Sequence, residues 1–237
     1  MKKIIESLAV IPARGGSKSI KNKNIKLFNG KPLIAWTIEQ ALSSNISKVV
    51  VSTDSKEIRD IALKYGAEVP YLRNKGLAND AIGIEPVIVD MLEHLKKYEN
   101  YKPDCIALLL PTSPFRSVND IDKSLEIFKN KCITSVVSVT LATANNNPHW
   151  MLKNNNNKVV MFNGDELEKM VSRRQDLPDY FIKNDFVFII NPKNLYLGRS
   201  NLYGGNVELM PISEDRIDID INTSKDWNIA ELLFKLI

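Results

Sequence analysis

The segment of this 237-residue chain with the clearest chemical potential is a run of glycines and cations near its amino terminus. Residues 12–18 read Pro-Ala-Arg-Gly-Gly-Ser-Lys and follow an apolar run typical of a first β-strand. Glycines let a backbone approach a ligand closely, and backbone N–H groups ringed by cations bind phosphate oxygens. We therefore predict a triphosphate-binding loop with Arg14, Lys18 and Lys23 around it. The alternative, a solvated basic loop, is less favoured because cations and glycines interleave directly after the strand.

Two common phosphate-binding motifs do not match this loop. A P-loop has glycine directly before its lysine, whereas Ser17 precedes Lys18 here. The dinucleotide pattern G-x-G-x-x-G does not occur in the loop either. The segment therefore argues against a standard kinase and a standard dehydrogenase.

An acidic pair near the carboxyl end of the chain could complement the basic loop. Asp218 and Asp220 alternate with isoleucines across residues 217–221, the period-two pattern of a strand. Residues two apart share one face of a strand, with Cα atoms roughly 6–7 Å apart. Mg²⁺ takes one or two carboxylates and completes its shell with substrate oxygens and water. We predict that this pair binds Mg²⁺ (or Mn²⁺); a solvated acidic edge strand is the alternative.

Apolar runs that alternate with helix-period segments must position these residues. The pattern predicts an α/β fold of three α/β/α layers with a mostly parallel sheet, in which ligands bind at the carboxyl ends of the strands. Asp54 and Ser117 are predicted to cap the helices that follow them. The predicted strands are residues 8–11, 49–52, 68–71, 106–110 and 135–139, and the predicted helices are residues 33–43, 55–65, 85–97 and 118–129.

The pattern changes after Thr140. Asparagine clusters punctuate residues 140–183, so we predict an arm inserted within a single domain spanning residues 1–237. Residues 186–190 return to a core strand, and Thr223 is expected to cap a final amphipathic helix.

Composition narrows the class of protein. A net charge of +4 suits anionic small substrates and does not predict nucleic-acid binding, which needs a concentrated basic face. No apolar run approaches the length of a membrane span. Two cysteines do not make a disulfide framework, and Cys105 precedes an apolar run as a packed strand residue would. We expect a cytoplasmic protein.

The motifs, taken in order, resemble the acylneuraminate cytidylyltransferases, the CMP-sialic acid synthetase family. One such match would be weak, but six in the family's order across nearly the whole chain are specific. The matching segments are residues 14–18 with Lys23 and Asn24, residues 51–54, residues 72–80, the P-T-S-P-F-R run at residues 111–116, the R-R-Q run at residues 173–175, and residues 217–220.

This resemblance implies a nucleotide-diphospho-sugar transferase-like fold with a protruding dimerisation arm, and roles for the matching residues. Lys23 and Arg174 would be catalytic, and Asp218 and Asp220 would hold the metal. CTP would contact Ala13, Arg14, Gly15, Ser17, Asn24, Arg73, Ala78 and Asp80, and the sugar would contact Thr112, Ser113, Arg174, Asn184 and Phe188.

The function implied by the resemblance is transfer of CMP from CTP to an acidic nine-carbon sugar by a homodimer. N-acylneuraminic, legionaminic and pseudaminic acids all remain open as substrates. Leu110 and Phe188 replace polar residues of the family pattern, so we expect a sugar other than N-acetylneuraminate. The alternatives are a cytidylyltransferase for another acidic sugar such as Kdo, a non-catalytic nucleotide-binding protein, and a glycosyltransferase with a D-x-D motif.

Overall fold

The computed structural model describes residues 5–79, 82–130, 132–196 and 201–236. Strands and helices alternate through the first half of the chain, as the sequence predicts. The helices are α1 (Leu33–Leu42), α2 (Lys56–Lys64), α3 (Ile84–Glu99), α4 (Val118–Asn130) and α5 (Ser224–Phe234). The strands are β1 (Ser7–Pro12), β2 (Leu27–Phe28), β3 (Lys31–Pro32), β4 (Lys48–Ser52), β5 (Cys105–Leu108), β6 (Ser135–Leu141), β7 (Leu152–Asn155), β8 (Lys158–Met161), β9 (Phe181–Ile190) and β10 (Val207–Pro211).

Six of these strands form one sheet in the order β10-β6-β9-β5-β1-β4. β1 lies between two parallel neighbours, with Ala9 opposite Val49 of β4 and Ala107 of β5. β9 runs antiparallel to β5. Residues 8–11 of β1, all apolar, have no exposed surface, as expected for a parallel strand covered on both faces. The predicted α/β fold is confirmed, with a parallel centre and an antiparallel strand beside it.

The crossover connections place helices on both faces of this sheet. The chain steps from β1 through α1 to β4, then returns past β1 through α2 and α3 to β5. Because parallel crossovers are right-handed, connections that step in opposite directions cover opposite faces. Both α1 and α3 contact β1, which gives the helix–sheet–helix layering.

The strand predicted at residues 68–71 is wrong. This stretch contributes only an isolated bridge from Glu68 to Val50, and Leu72, the next residue along the chain, forms another with Thr53. Pro70 lacks the N–H group that a continuous ladder needs, so the segment runs beside β4 without becoming a strand.

The helix caps partly match prediction. Ser117 and Asp120 bond reciprocally at the start of α4, through Ser117 N to Asp120 Oδ2 at 2.7 Å and Asp120 N to Ser117 Oγ at 3.2 Å. Thr223 caps α5 in a capping box with Asp226. The prediction for α2 is wrong, because Ser55, not Asp54, caps that helix by accepting from Ile58 N.

Contacts divide the chain into two compact units. The first comprises the described parts of Met1–Ser138, Asn184–Met210 and Ile217–Ile237. The second comprises Val139–Lys183 and Pro211–Arg216, and it contains the stretch predicted as an arm together with the β7–β8 hairpin. Among the described helices, none combines the length and apolar character that crossing a membrane requires.

Candidate active site

The glycine-rich loop leaves the carboxyl end of β1 and folds back on itself. Ala13 N donates to Ser52 O of β4 at 2.9 Å, which ties the start of the loop to the sheet. Ser17 N donates to Gly15 O at 3.2 Å. The Asn24 side chain is buried and donates from Nδ2 to Arg14 O at 3.1 Å. Asn24 therefore holds the loop backbone, whereas Arg14 is only half-buried.

Gly15 packs closely against the start of α2. Its N–H donates to Asp54 Oδ1 at 3.0 Å. A Cβ atom on Gly15 would lie 3.1 Å from Ser55 Cβ, tighter than ordinary van der Waals contact, whereas Gly16 has open space around it. A side chain at Gly15 would therefore need Ser55 to shift by a few tenths of an ångström. Asp54, predicted from the sequence as a helix cap, anchors this loop instead.

Lys23 connects the basic loop to the acidic segment near the carboxyl end of the chain. Its Nζ donates to Ile221 O at 2.8 Å. Burial lowers the pKa of Lys23, Asp220 raises it, and the nearby charge of Arg14 lowers it further. Lys23, Arg14 and Asp220 are therefore electrostatic neighbours although they are far apart in sequence. This cluster of charge suits a ligand that carries both phosphates and a divalent ion.

The acidic segment is not the strand that its alternating pattern predicts. Residues 217–220 form no strand, and the backbone of Ile221 is held by Thr112 O, which accepts from Ile221 N at 2.9 Å. The Asp218 side chain is exposed. Asp220 accepts a hydrogen bond from Asn222 Nδ2 at Oδ2, while its buried Oδ1 has no partner.

The acidic segment suits a metal ion that takes most of its ligands from substrate and water better than one bound by protein ligands alone. Within the described residues, no group of three or more His, Cys, Asp or Glu side chains is arranged to hold a metal. Mg²⁺ commonly uses one or two carboxylates and takes its remaining ligands from phosphates and water. The orphaned Oδ1 of Asp220 is the kind of ligand that such an ion would use.

Arg73 lies on the segment beside β4, at the same carboxyl end of the sheet as the glycine-rich loop. Its backbone N donates to Thr53 O at 2.8 Å, and its side chain is buried with no hydrogen-bond partner at Nε. Burial lowers the pKa of Arg73; Asp54 opposes this effect, and Arg14 adds to it. Ala78, which is half-buried, ends the 3-10 turn Lys75–Ala78 nearby in sequence. Asp80 lies outside the described residues.

Buried polar atoms without partners converge on this edge. Among the described residues, the buried side-chain atoms that lack a hydrogen bond are Ser52 Oγ, Arg73 Nε and Asp220 Oδ1. Native proteins satisfy nearly all such atoms, so each exception needs a reason. Ser52 ends β4, Arg73 bonds to the residue after it, and Asp220 precedes the residue that Lys23 and Thr112 hold. A polar ligand at this edge would supply the missing partners.

The loop after β5 is fixed by a buried arginine. Ser113 is buried and Thr112 is half-exposed, so Thr112 is the better placed of the two to meet a substrate. Arg116 is 2% exposed and donates to Leu110 O at 2.9 Å and to Phe186 O. In the sequence, Arg116 stands out only as the last residue of the P-T-S-P-F-R run just before α4, and its contact with Phe186 lies 70 positions away.

Two predicted sugar-site residues are enclosed by the sheet. Asn184 Oδ1 bonds to Ser138 Oγ at 2.5 Å and accepts from Phe186 N at 3.3 Å. Phe188 is buried opposite Leu108, with its ring 4.9 Å from that of Tyr203. Both lie on β9 as predicted, but their burial argues against direct contact with a sugar. Asn184 forms hydrogen bonds within the sheet, and Phe188 fills the core.

Arg174 belongs to the second unit and is exposed there. It begins the 3-10 turn Arg174–Asp176 and lines a cavity of about 270 Å³. The wall of this cavity also includes Thr140, Leu177 and Glu214. An exposed guanidinium at a partly apolar cavity can bind a carboxylate whose carbon skeleton packs beside it.

Comparison with known proteins identifies the family. A family model whose description is Cytidylyltransferase matches residues 8–226. The chain belongs to the cytidylyltransferase family. The match includes the glycine-rich loop, the loop after β5 and the acidic segment, so the predicted family is confirmed.

Two relatives of this cytidylyltransferase are similar to it over nearly their full lengths. The chain is 36% identical over 234 residues to CMP-N,N'-diacetyllegionaminic acid synthase of Legionella pneumophila, covering 97% of this chain and 96% of that protein. It is 32% identical to pseudaminic acid cytidylyltransferase of Campylobacter jejuni, covering 98% and 97%. The structure of a CMP:2-keto-3-deoxy-manno-octonic acid synthetase complexed with CTP superposes with a TM-score of 0.71, covering 98% of this chain and 99% of that chain. At 16% identity, that likeness shows the fold.

Proposed function

We propose that this cytidylyltransferase transfers CMP from CTP to a sialic-acid-like nonulosonic acid. The observation that carries the proposal is the convergence of Ser52 Oγ, Arg73 Nε and Asp220 Oδ1, all buried and without partners, on the edge that holds the basic loop. The names of the full-length relatives supply the sugar class, since they are synthases of legionaminic and pseudaminic acid nucleotides.

In the proposed reaction, the anomeric hydroxyl oxygen of the sugar attacks the α-phosphorus of CTP. A new P–O bond forms, the bond from the α-phosphorus to the bridging oxygen breaks, and pyrophosphate leaves with that electron pair as the hydroxyl proton is released. The chain contributes positioning and charge stabilisation, as in phosphoryl transfer generally. Arg14, Lys23 and Arg73 are the cations that bind the triphosphate, while Ala13, Gly15 and Ser17 supply loop backbone.

Asp220 is the residue we assign to Mg²⁺ (or Mn²⁺), with Asp218 as a second ligand. The support is the buried, unpartnered Oδ1 of Asp220 and its electrostatic coupling to Lys23. An ion held there would neutralise charge on the triphosphate and its leaving group. Lys23 balances the same carboxylate when no ion is bound.

Arg174 is the residue we assign to the sugar carboxylate. A guanidinium binds a carboxylate with two parallel hydrogen bonds, and the apolar part of its cavity suits a deoxy sugar that carries a methyl group. We therefore expect a legionaminic-type or pseudaminic-type acid to be preferred over N-acetylneuraminate.

We also propose that the enzyme is a cytoplasmic homodimer. The second unit exposes large apolar side chains, including Leu152, Phe162 and Ile182, which are 55%, 58% and 45% exposed. Exposed apolar side chains that form a contiguous patch mark interaction surfaces, and we expect these side chains to line the contact between the two subunits. Light scattering at micromolar concentration should give twice the 26.8 kDa mass of one chain, and a 26.8 kDa particle would contradict the dimer.

Pyrophosphate release tests the reaction. CTP is incubated with Mg²⁺ and, separately, with legionaminic, pseudaminic, N-acetylneuraminic and Kdo acids, and a parallel series replaces CTP with ATP, GTP or UTP. We expect turnover with CTP and one of the first two acids, with kcat/KM at least tenfold above that for N-acetylneuraminate. Preference for N-acetylneuraminate would refute the sugar assignment, and preference for Kdo would support the alternative enzyme. Failure with every acid would refute the transfer.

A further inference from the structure

The end of β4 joins the two segments that carry the predicted nucleotide ligands. Ser52 O accepts from Ala13 N at 2.9 Å on the side of the glycine-rich loop. Thr53 O accepts from Arg73 N at 2.8 Å on the other side. Asp54 follows directly, and its Oδ1 accepts from Gly15 N at 3.0 Å. Three consecutive residues therefore fix the basic loop and Arg73 relative to each other.

The Asp54 carboxylate also interacts electrostatically with the buried Arg73 side chain. The guanidinium of Arg73 is 5% exposed and lacks a partner at Nε. Asp54 is the strongest of the charges that favour the cationic form of Arg73, ahead of Tyr71 and Asp90, and Arg14 opposes them. Two guanidinium groups that repel each other need a neighbouring anion before the nucleotide arrives.

A purely helical role does not explain Asp54. Ser55 caps α2 through its side chain, so Asp54 is not needed to start that helix. Its carboxylate reaches back across 39 positions of sequence to the loop instead.

We propose that Asp54 is a positioning residue of the nucleotide site, which holds Gly15 in the phosphate loop and keeps Arg73 poised for the triphosphate. The inference rests on the proposed function, because the loop and Arg73 are the CTP ligands there. Asp54 does not touch CTP itself. Its loss should therefore weaken CTP binding more than it slows the chemical step.

Isothermal titration of CTP with Mg²⁺ into the full chain tests this role. Asp54→Ala should raise the Kd for CTP about tenfold, which corresponds to about 1.4 kcal/mol. Asp54→Asn keeps an oxygen that accepts from Gly15 N but removes the charge, so its Kd should rise only about threefold. Asp60→Ala is the matched control, since that carboxylate is exposed on α2 and pairs with Arg59.

Steady-state kinetics on the same variants separate positioning from general damage. KM for CTP should follow the Kd series, while kcat stays within about threefold of the wild type, and the thermal unfolding midpoint of Asp54→Asn should match that of the wild type. Affinity of Asp54→Ala within twofold of the wild type would overturn the inference. So would an Asp54→Asn variant that binds as weakly as Asp54→Ala, because the hydrogen bond to Gly15 would then have no role.

The titration also separates this inference from the proposed function. CTP binding requires no sugar, so the Asp54 series can be measured even if no nonulosonic acid releases pyrophosphate. In that case the proposed transfer reaction is refuted, while the CTP titrations still test the positioning role of Asp54. Conversely, normal turnover by the wild type with an unaffected Asp54→Ala variant would remove the positioning role and leave the reaction standing.

Discussion

Replacing Arg116 should lower the stability of the fold more than replacing any exposed arginine, although the P-T-S-P-F-R motif around it suggests a substrate contact. Its guanidinium donates to carbonyls on both sides, from Nε to Phe186 O and from Nη2 to Leu110 O at 2.9 Å and Asp185 O at 3.4 Å. Gln40 of α1 extends the network by donating to Pro114 O at 2.9 Å. The arginine thus joins β9, α1 and the loop after β5.

The size of the effect follows from burial and from the number of bonds. Burial lowers the pKa of Arg116 to about 9, with Asp120 and Asp185 opposing the shift, so the group stays cationic at neutral pH. Hydrogen bonds from a charged group contribute about 1.5–3 kcal/mol each, and breaking a buried charged network costs about 3–5 kcal/mol. In a chain of this length that cost lowers the melting temperature by roughly 6–20 °C.

Thermal and urea unfolding of Arg116→Ala measure this cost. Arg116→Lys should recover less than half of it, because a single ammonium cannot donate in both directions as the planar guanidinium does. Arg59→Ala is the matched control, since that arginine pairs with Asp60 on the surface of α2 and should change stability by about 0.5 kcal/mol or less. A melting temperature for Arg116→Ala within 2 °C or so of the wild type would refute the reasoning.

Further predictions concern catalysis, the metal and the thiols. Lys23→Ala should lower kcat/KM about a hundredfold, the scale of a lost charge-stabilising contact, while Lys21→Ala, an exposed lysine of the same loop, should stay within about twofold. EDTA should abolish pyrophosphate release and excess Mg²⁺ should restore it, whereas Asp220→Asn should remain inactive in Mg²⁺; full activity in EDTA would contradict the metal assignment. Burial raises the pKa of Cys105 to about 12, so little thiolate forms at pH 8, and a thiol reagent counted by mass spectrometry should label only exposed Cys132 until the chain is unfolded.

Sequence patterns predicted the parts of the fold that depend on local periodicity. β1 and β4 were expected because their apolar runs are continuous, and a parallel strand buried on both faces reads that way. The first turn of α4 was expected from the spacing of Ser117 and Asp120. The strand predicted for residues 217–221 was wrong for the same reason. Alternation indicates an extended chain, but it does not show whether a neighbouring strand is there to pair with it.

The residues that position the site were harder to predict because their partners are distant in sequence. Asp54 stands one residue before a helix and resembles a cap, yet its oxygen bonds to Gly15. Asn184 was expected to contact the sugar. Its side-chain Oδ1 instead forms hydrogen bonds within the sheet, with Ser138 Oγ and with Phe186 N. A polar side chain hydrogen-bonds to whichever groups the fold brings near it, and the local sequence does not show which groups these are.

The backbone of Ile221 shows how the cationic and acidic parts of the site depend on each other. Its N–H donates to Thr112 O at 2.9 Å, its carbonyl accepts from Lys23 Nζ at 2.8 Å, and its side chain has no exposed surface. Both backbone polar groups of Ile221 are hydrogen-bonded, one to the loop after β5 and one to Lys23, so a shift of Asp220, the preceding residue, would disturb them. Under the proposed function, Lys23 would both carry charge toward the triphosphate and hold the acidic segment in place through Ile221. A loss of activity on replacing it would then combine both effects, since the Asp220 carboxylate would shift when the cation is removed.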